Sequence, residues 1–342
     1  MRARVAGKLF VMALAGVCLA ANTAASEDTI VIKFAQAVPP SHHVAVHGAK
    51  PFMDRVTELS KGRIKFEWYP AQQLGKAQDM LTLVQSGVTD MADIVPSYTP
   101  DKLPLTGIAE LPNQSQSSCE GTKVFQALTR PGAFLARSEY DKQKVRVLMG
   151  ASYVPYKLMT GSKAVANLHD LVGLKIRSSG GAMDSVPRAL GASSVRMSGP
   201  ELHEAITRGT VDGALYPFIS AKSFDLIGPL KNVTVGVNLG TLTTAFVISD
   251  AAWKKLPPDL QKILVQAGDE AAQQLCSYMD RSERETREEF AKAYHVIELD
   301  STEGARWQKL LEPIAAEWSK RVAGRGRPAN DALAAWAAAR KP

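Results

Sequence analysis

Arg177 stands in the segment "GLKIRSSGG", residues 173 to 181. Leu174 and Ile176 share one face of a short strand, and Lys175 and Arg177 share the other. The chain then relaxes into Ser178, Ser179, Gly180 and Gly181 before a helical pattern begins at Ala182. An arginine at the carboxyl end of a strand, beside a helix start, is placed to take an anion. Its rigid fork matches a carboxylate through two parallel hydrogen bonds. Lys157, in "VPYKLMTG", lies on a neighbouring predicted strand and is either a second clamp on that anion or a surface lysine. Tyr98, Tyr153, Tyr156, Tyr216 and Phe218 fall at strand ends or in the loops beyond them. Aromatic residues usually fill cores, but several at strand mouths can wall a small pocket.

Groups for bond-making chemistry are sparse. "SHHVAVH" brings His42, His43 and His47 together, with His43 and His47 one helical turn apart, a spacing that suits zinc. No acidic residue within the motif completes a metalloprotease signature, and the plainer reading is a loop and helix start near a cleft mouth. There is no G-x-S-x-G elbow. "SSGG" lacks the Lys-Ser/Thr of a phosphate loop, and no dinucleotide fingerprint appears. Cys119, in "QSSCEG", has no nucleophile context. The residues favour binding without catalysis, cofactor or metal. A metal-assisted α/β enzyme acting on organic acids is the rival reading.

The elements that carry these residues alternate. "TIVIKFAQAV" reads as a buried strand, about 44 to 59 as a helix, "RIKFEWYP" as a strand, "GKAQDMLTLVQSG" as a short helix and "DMADIVP" as a third strand. The pattern resumes with "KVRVLMG", "VPYKLMTG", "LKIRSS", "SSVRMS" and "TVDGALYP" as strands, with short helices between several of them. Such alternation predicts mostly parallel sheets covered on both faces. "SGVTDMADIVP" and "RGTVDGALYPF" repeat one design, a helix ended by Gly and then Asp at the mouth of an apolar strand. From Pro257 to about Tyr294 a long helix is predicted, interrupted only by Gly268. Leu260, Ile263, Leu264, Ala267, Ala271, Leu275 and Met279 mark its apolar face. At 1.5 Å per residue it reaches about 50 Å, longer than one lobe. A further helix is predicted around "GARWQKLLEPIAAEWSKRVA", and an amphipathic one in "NDALAAWAAARKP".

Arg2, Arg4 and Lys8 precede the apolar run "LFVMALAGVCLA" and the small residues "ANTAAS", the order of a secretory signal peptide cleaved between Ala24 and Ser26. A lipid anchor at Cys18 is disfavoured by the bulk of Val17. Without the leader the formal charge of +7 falls by three, and acids and bases mix along the chain. No nucleic-acid stripe or polybasic membrane patch stands out. Cys119 and Cys276 remain and are free to pair in an oxidising compartment, although their spacing does not decide it. About 316 residues exceed one comfortable core, so two lobes are expected.

The mature chain resembles the substrate-binding proteins of the tripartite ATP-independent periplasmic (TRAP) transporters. The resemblance is carried by "SHH" after the first strand, by "KGRIKFEWYPAQQLGKAQDMLTLVQSGVTDMA", by "GLKIRSSGGAMDSVPRALGASSVRMSGPELHEAITRGTVDGA" and by "ISDAAWKKLPPDLQKIL". It implies an α/β, two-lobe periplasmic-binding-protein-like fold, each lobe a sheet flanked by helices, with a long helix spanning both. The expected boundaries are a signal peptide at 1–26, lobe I at 27–152 with 241–275, lobe II at 153–240 with 276–310, and C-terminal helices at 311–342. It also implies a periplasmic monomer that captures a small organic carboxylate and delivers it to TRAP permease subunits, with no enzymatic step and no nucleic-acid partner. An ATP-driven importer or a sensor kinase is the alternative recipient. In the family the arginine of the G-L-K-x-R strand takes the ligand carboxylate, which maps onto Arg177. Many members carry a second arginine one strand earlier, where this chain has Lys157. Members often read Glu-Asn-Pro where this chain has Leu215, Tyr216 and Pro217, so an aromatic ring replaces a polar contact. With Phe218 and Tyr98 nearby, the expected ligand is a monocarboxylate with an apolar or aromatic portion. Gln36, Gln73 and Asn238 lie on segments that border the cleft in the family and are expected to supply hydrogen bonds.

Overall fold

The computed structural model describes residues 29–341, and the leader read at residues 1–26 lies outside them. The first stretch supplies β1 (Ile30–Ala35), α1 (Lys50–Leu59), β2 (Ile64–Tyr69), α2 (Met80–Gln85), β3 (Met91–Ile94), α3 (Ser118–Thr129) and β4 (Val145–Ser152). Then come β5 (Lys157–Thr160), β6 (Lys175–Ser178), α4 (Ser185–Ala189), β7 (Ser193–Arg196), α5 (Leu202–Thr207), β8 (Gly213–Tyr216), α6 (Phe218–Ser223) and β9 (Asn232–Val235). The chain returns through β10 (Thr243–Ser249), α7 (Asp250–Lys255), α8 (Pro258–Ala293) and β11 (His295–Glu298), and ends in α9 (Ser301–Leu311), α10 (Ile314–Ala323) and α11 (Ala329–Ala339).

Two sheets result, ordered β2-β1-β3-β10-β4 and β11-β9-β5-β8-β6-β7. The first belongs to lobe I and the second to lobe II. Both are mixed, which corrects the expectation of mostly parallel sheets. β10 runs antiparallel to β3 and β4, and β5 runs antiparallel to β8 and β9. The cause is topological. β5 and β10 are the strands that enter one lobe from the other, so each begins at the cleft and runs away from it. The parallel strands end there instead.

The two short sequence matches fall on related places. β3 lies between β1 and β10, and β8 lies between β5 and β6, so each is a central strand. Each follows a short helix and is followed within two residues by a proline, Pro96 or Pro217. Every residue of β3 and β10 is buried, the mark of strands covered on both faces. By this construction Tyr98 and Tyr216 emerge beside the same cleft from opposite lobes.

α8 has 36 residues and packs on α1, α3 and β4 of lobe I and on α6 of lobe II. Its predicted face is buried, with Ile263 only partly so. Gly268 is the point of closest approach, since a Cβ built there would lie 2.1 Å from the Leu148 carbonyl oxygen of β4. Cys119 of α3 and Cys276 of α8 form a disulfide, the pairing their spacing left open. The helix predicted around residues 304–323 is two helices, α9 and α10, because Pro313 cannot donate to the ladder that would join them. Trp307, Trp318 and Trp336 anchor the three C-terminal helices and are fully buried.

Candidate ligand-binding site

β6 pairs with β7 and β8 in parallel and delivers Arg177 to the cleft end of the lobe II sheet. Beyond it the chain turns at Gly180 and Gly181, whose φ angles are 101° and 60°. A Cβ on Gly180 would lie 2.8 Å from the Ser97 carbonyl oxygen of lobe I, so glycine permits the lobes to meet there. Arg177 is fully buried. Its Nε donates to the Met197 carbonyl at 3.0 Å, which fixes the plane of the guanidinium. The Tyr216 ring lies beneath it, 5.2 Å from Cζ. Among the described residues neither Nη1 nor Nη2 makes a hydrogen bond of regular geometry, although the Tyr98 hydroxyl lies near enough to interact with the guanidinium.

The guanidinium borders a small enclosed cavity between the lobes. Tyr98, Tyr153, Tyr156, Tyr216, Phe224 and His42 supply its aromatic wall, and Val38, Val95, Pro200 and Leu242 add aliphatic surface. Asp93, Ser220 and Thr244 are its polar members beside Arg177. The Tyr98 hydroxyl accepts the Gly199 backbone N–H at 2.8 Å, a direct bond from lobe I to lobe II across the cavity mouth.

Lobe I contributes two features that sequence reading left unassigned. Asp93, within β3, accepts from Gln36 Nε2 at 3.0 Å and from the Thr244 hydroxyl. Burial pushes its carboxyl up to about 6, against the pull of those two bonds. His42, read as part of a cleft-mouth loop, is a buried wall of the cavity. Its Nδ1 accepts the Val44 N–H at 3.2 Å, so the neutral ring carries its proton on Nε2. Burial lowers its pKa to about 3 and keeps it neutral. His42 packs at a tilt against His43 and Phe224, while His47 stacks on Tyr278 of α8. Among the described residues no group of three His, Cys, Asp or Glu could hold a metal ion.

Other sequence candidates stand elsewhere. Lys157 Nζ donates to Glu283 of α8 at 2.8 Å and to the Pro155 carbonyl, so its charge is neutralised away from the cavity. Phe218 is turned onto Phe290 of α8, with ring centroids 5.1 Å apart. Asn238 is a loop clasp, bonded to the Ser115 carbonyl and the Gly240 N–H. Gln73 is exposed. Gln36 is buried one layer behind the wall, holding Asp93.

Glu110 is the acid whose field Arg177 reaches. It is fully buried and accepts from the Thr243 N–H and hydroxyl at 3.3 and 3.1 Å. Burial raises its pKa to about 8, so it stays protonated near neutrality and does not balance the guanidinium. Stability should record this. The folded chain holds the Glu110 proton to about pH 8, whereas the unfolded chain releases it near 4.5. Folding therefore takes up a proton in that window, and stability falls as pH rises through it. His42 acts oppositely but only between about 3 and 6.5, where the unfolded chain binds the extra proton. The urea midpoint is thus expected to fall between pH 6.5 and 8.5, and Glu110→Gln to flatten that fall. A midpoint that rises over this range contradicts the assignment.

Residues 34–321 match the bacterial extracellular solute-binding protein family 7. The chain belongs to this family. The C4-dicarboxylate-binding periplasmic protein of Rhodobacter capsulatus is 26% identical over 312 residues, covering 89% of this chain and 91% of the relative. A TRAP solute-binding protein from Rhodoferax ferrireducens, solved with copurified benzoate, is 25% identical with a TM-score of 0.83, over 91% of this chain and 98% of that one. A marine metagenome TRAP solute-binding protein specific for aromatic acid ligands, solved with metahydroxyphenylacetate, is 26% identical with a TM-score of 0.84, over the same shares. As a family 7 solute-binding protein the chain is a TRAP-type extracytoplasmic binding component and not an enzyme, which sets aside the metal-assisted reading. Among the described residues no helix is long and apolar enough to cross a membrane.

Proposed function

We propose that the chain captures a monocarboxylate with an aromatic or apolar body in the periplasm and hands it to a TRAP permease. The observation that carries this is Arg177, a buried cation beside a cavity walled by rings, whose two terminal nitrogens make no hydrogen bond of regular geometry and have no carboxylate partner among the described residues. A buried charge in that condition is costly, and a carboxylate accepting both N–H groups removes the cost. Arg177 is the one arginine or lysine among the described residues lining this cavity, which supports one carboxylate and not two. The rings supply apolar contact worth about 25 cal/mol per Å² of covered surface. Relatives solved with benzoate and metahydroxyphenylacetate support the aromatic choice.

The test is a thermal-shift series on the mature protein with aromatic monocarboxylates, sugar acids and C4-dicarboxylates. At a hundred times Kd a ligand confined to the native state adds about 2.7 kcal/mol. Large shifts confined to the aromatic monocarboxylates are expected. Equal or larger shifts with dicarboxylates overturn the reading.

A further inference from the structure

The cavity has two chemically different ends. Arg177, on β6 of lobe II, is the cationic end. Asp93, on β3 of lobe I, is an acidic group set in the otherwise apolar run Met91, Ala92, Asp93, Ile94. A carboxyl in a strand buried along its whole length is costly unless fully bonded. One account makes it a structural tie, since Gln36 and Thr244 both donate to it.

A purely structural tie should close on itself, as buried networks do. This one does not. Among the described residues Gln36 Oε1, His42 Nε2 and Ser220 Oγ are buried without hydrogen-bond partners, and His42 and Ser220 line the same cavity as Asp93. His42 is fully buried and Ser220 is 2% exposed. The His42 tautomer is set by the Val44 N–H on Nδ1, so the unpaired Nε2 is a donor. The lobe I wall therefore offers one unpaired donor, the His42 Nε2–H, and the acceptor capacity that Gln36 and Thr244 leave on the Asp93 carboxylate.

We infer that this wall reads a hydroxyl group, and that the preferred solute is an aromatic acid carrying a hydroxyl on the ring, away from its carboxylate. The inference rests on the carboxylate reading of Arg177. A hydroxyl donates one hydrogen bond and accepts others, so it can satisfy Asp93 and His42 together. An ammonium satisfies Asp93 but leaves the His42 donor unpaired. A second carboxylate satisfies His42 but meets the like charge of Asp93. An unsubstituted ring leaves the His42 donor buried and unpaired and brings Asp93 no third donor, the arrangement by which polar sites reject analogues that lack the matching group. A solute held at both ends also ties lobe I to lobe II, which favours the closed arrangement.

Titration calorimetry at pH 7.5 tests this with benzoate, the 3- and 4-hydroxybenzoates and isophthalate. At least one hydroxybenzoate is expected to bind about ten-fold or more tightly than benzoate, with isophthalate weaker than benzoate. In Asp93→Asn and in His42→Phe the ratio of hydroxybenzoate to benzoate affinity should collapse to within about two-fold, a readout that general loosening of the fold does not move. Benzoate binding as tightly as both hydroxybenzoates in the native protein overturns the hydroxyl inference and leaves the carboxylate reading standing. Failure of all four acids to bind overturns both. If either variant fails to fold, the native protein's ligand series alone decides.

Discussion

Arg177→Ala is expected to raise the Kd for the solute about thirty-fold or more, a loss of at least about 2 kcal/mol. The guanidinium is fixed through Nε to Met197 and presents its outer edge to the cavity, so little ordering remains to be done when a carboxylate arrives. Arg177→Lys keeps the charge but loses both the fork and the Met197 tether, and should fall between the native protein and alanine. A second sign distinguishes an anchor from a structural residue. Without solute the buried guanidinium burdens the fold, so Arg177→Met should raise the ligand-free Tm while removing the ligand-induced shift. Calorimetry and paired thermal melts measure both. Unchanged affinity in Arg177→Ala would reject Arg177 as the anchor.

Gly268→Ala is expected to destabilise the protein by about 1–3 kcal/mol, the scale of overpacking in a close-packed core. The usual rule points the other way, because alanine within a helix gains about 1 kcal/mol over glycine. Here the new methyl would lie 2.1 Å from the Leu148 oxygen and 2.7 Å from its carbonyl carbon. Both are backbone atoms of β4 and have no rotamer to escape into. α8 must then lift from the sheet that it covers. Urea denaturation of the variant measures the cost, and a stabilised variant would show that α8 accommodates a methyl against β4 and overturn the prediction.

Local pattern made the alternation, the long helix and the setting of Arg177 legible in the sequence. Each depends on residues close together in the chain. α3 went unread, although Ser117 followed three residues later by Glu120 is a start signal, and the Ser117 hydroxyl accepts the Glu120 N–H. β9 and β11 went unread, although each is as long as β5 to β8. What sequence could not provide was the direction of long side chains. Lys157 sits opposite Tyr216 in the β5–β8 register, yet its ammonium reaches a partner 126 residues on. Phe218 follows Tyr216 by two residues, but it opens a helix and turns onto Phe290. Asp93, the lone acid within β3, went unread. Its meaning needed β10, which brings Thr244 beside it from 151 residues away.

α8 serves both lobes, and its side chains show where one grip ends and the other begins. Asp280 accepts the Ser118 and Cys119 N–H groups at the start of α3, at 2.7 and 3.1 Å, in lobe I. Glu283 accepts Lys157 and the Phe218 and Ile219 N–H groups at the start of α6, at 2.8, 3.2 and 3.0 Å, in lobe II. These two clasps are three residues apart, less than one helical turn. Everything before them is bound to lobe I by the Cys119–Cys276 bond and the seat of Gly268 on β4. The helix is therefore a shared beam with two separate seats, and residues 280–283 are the single turn over which its hydrogen-bonded partners change from one half of the molecule to the other.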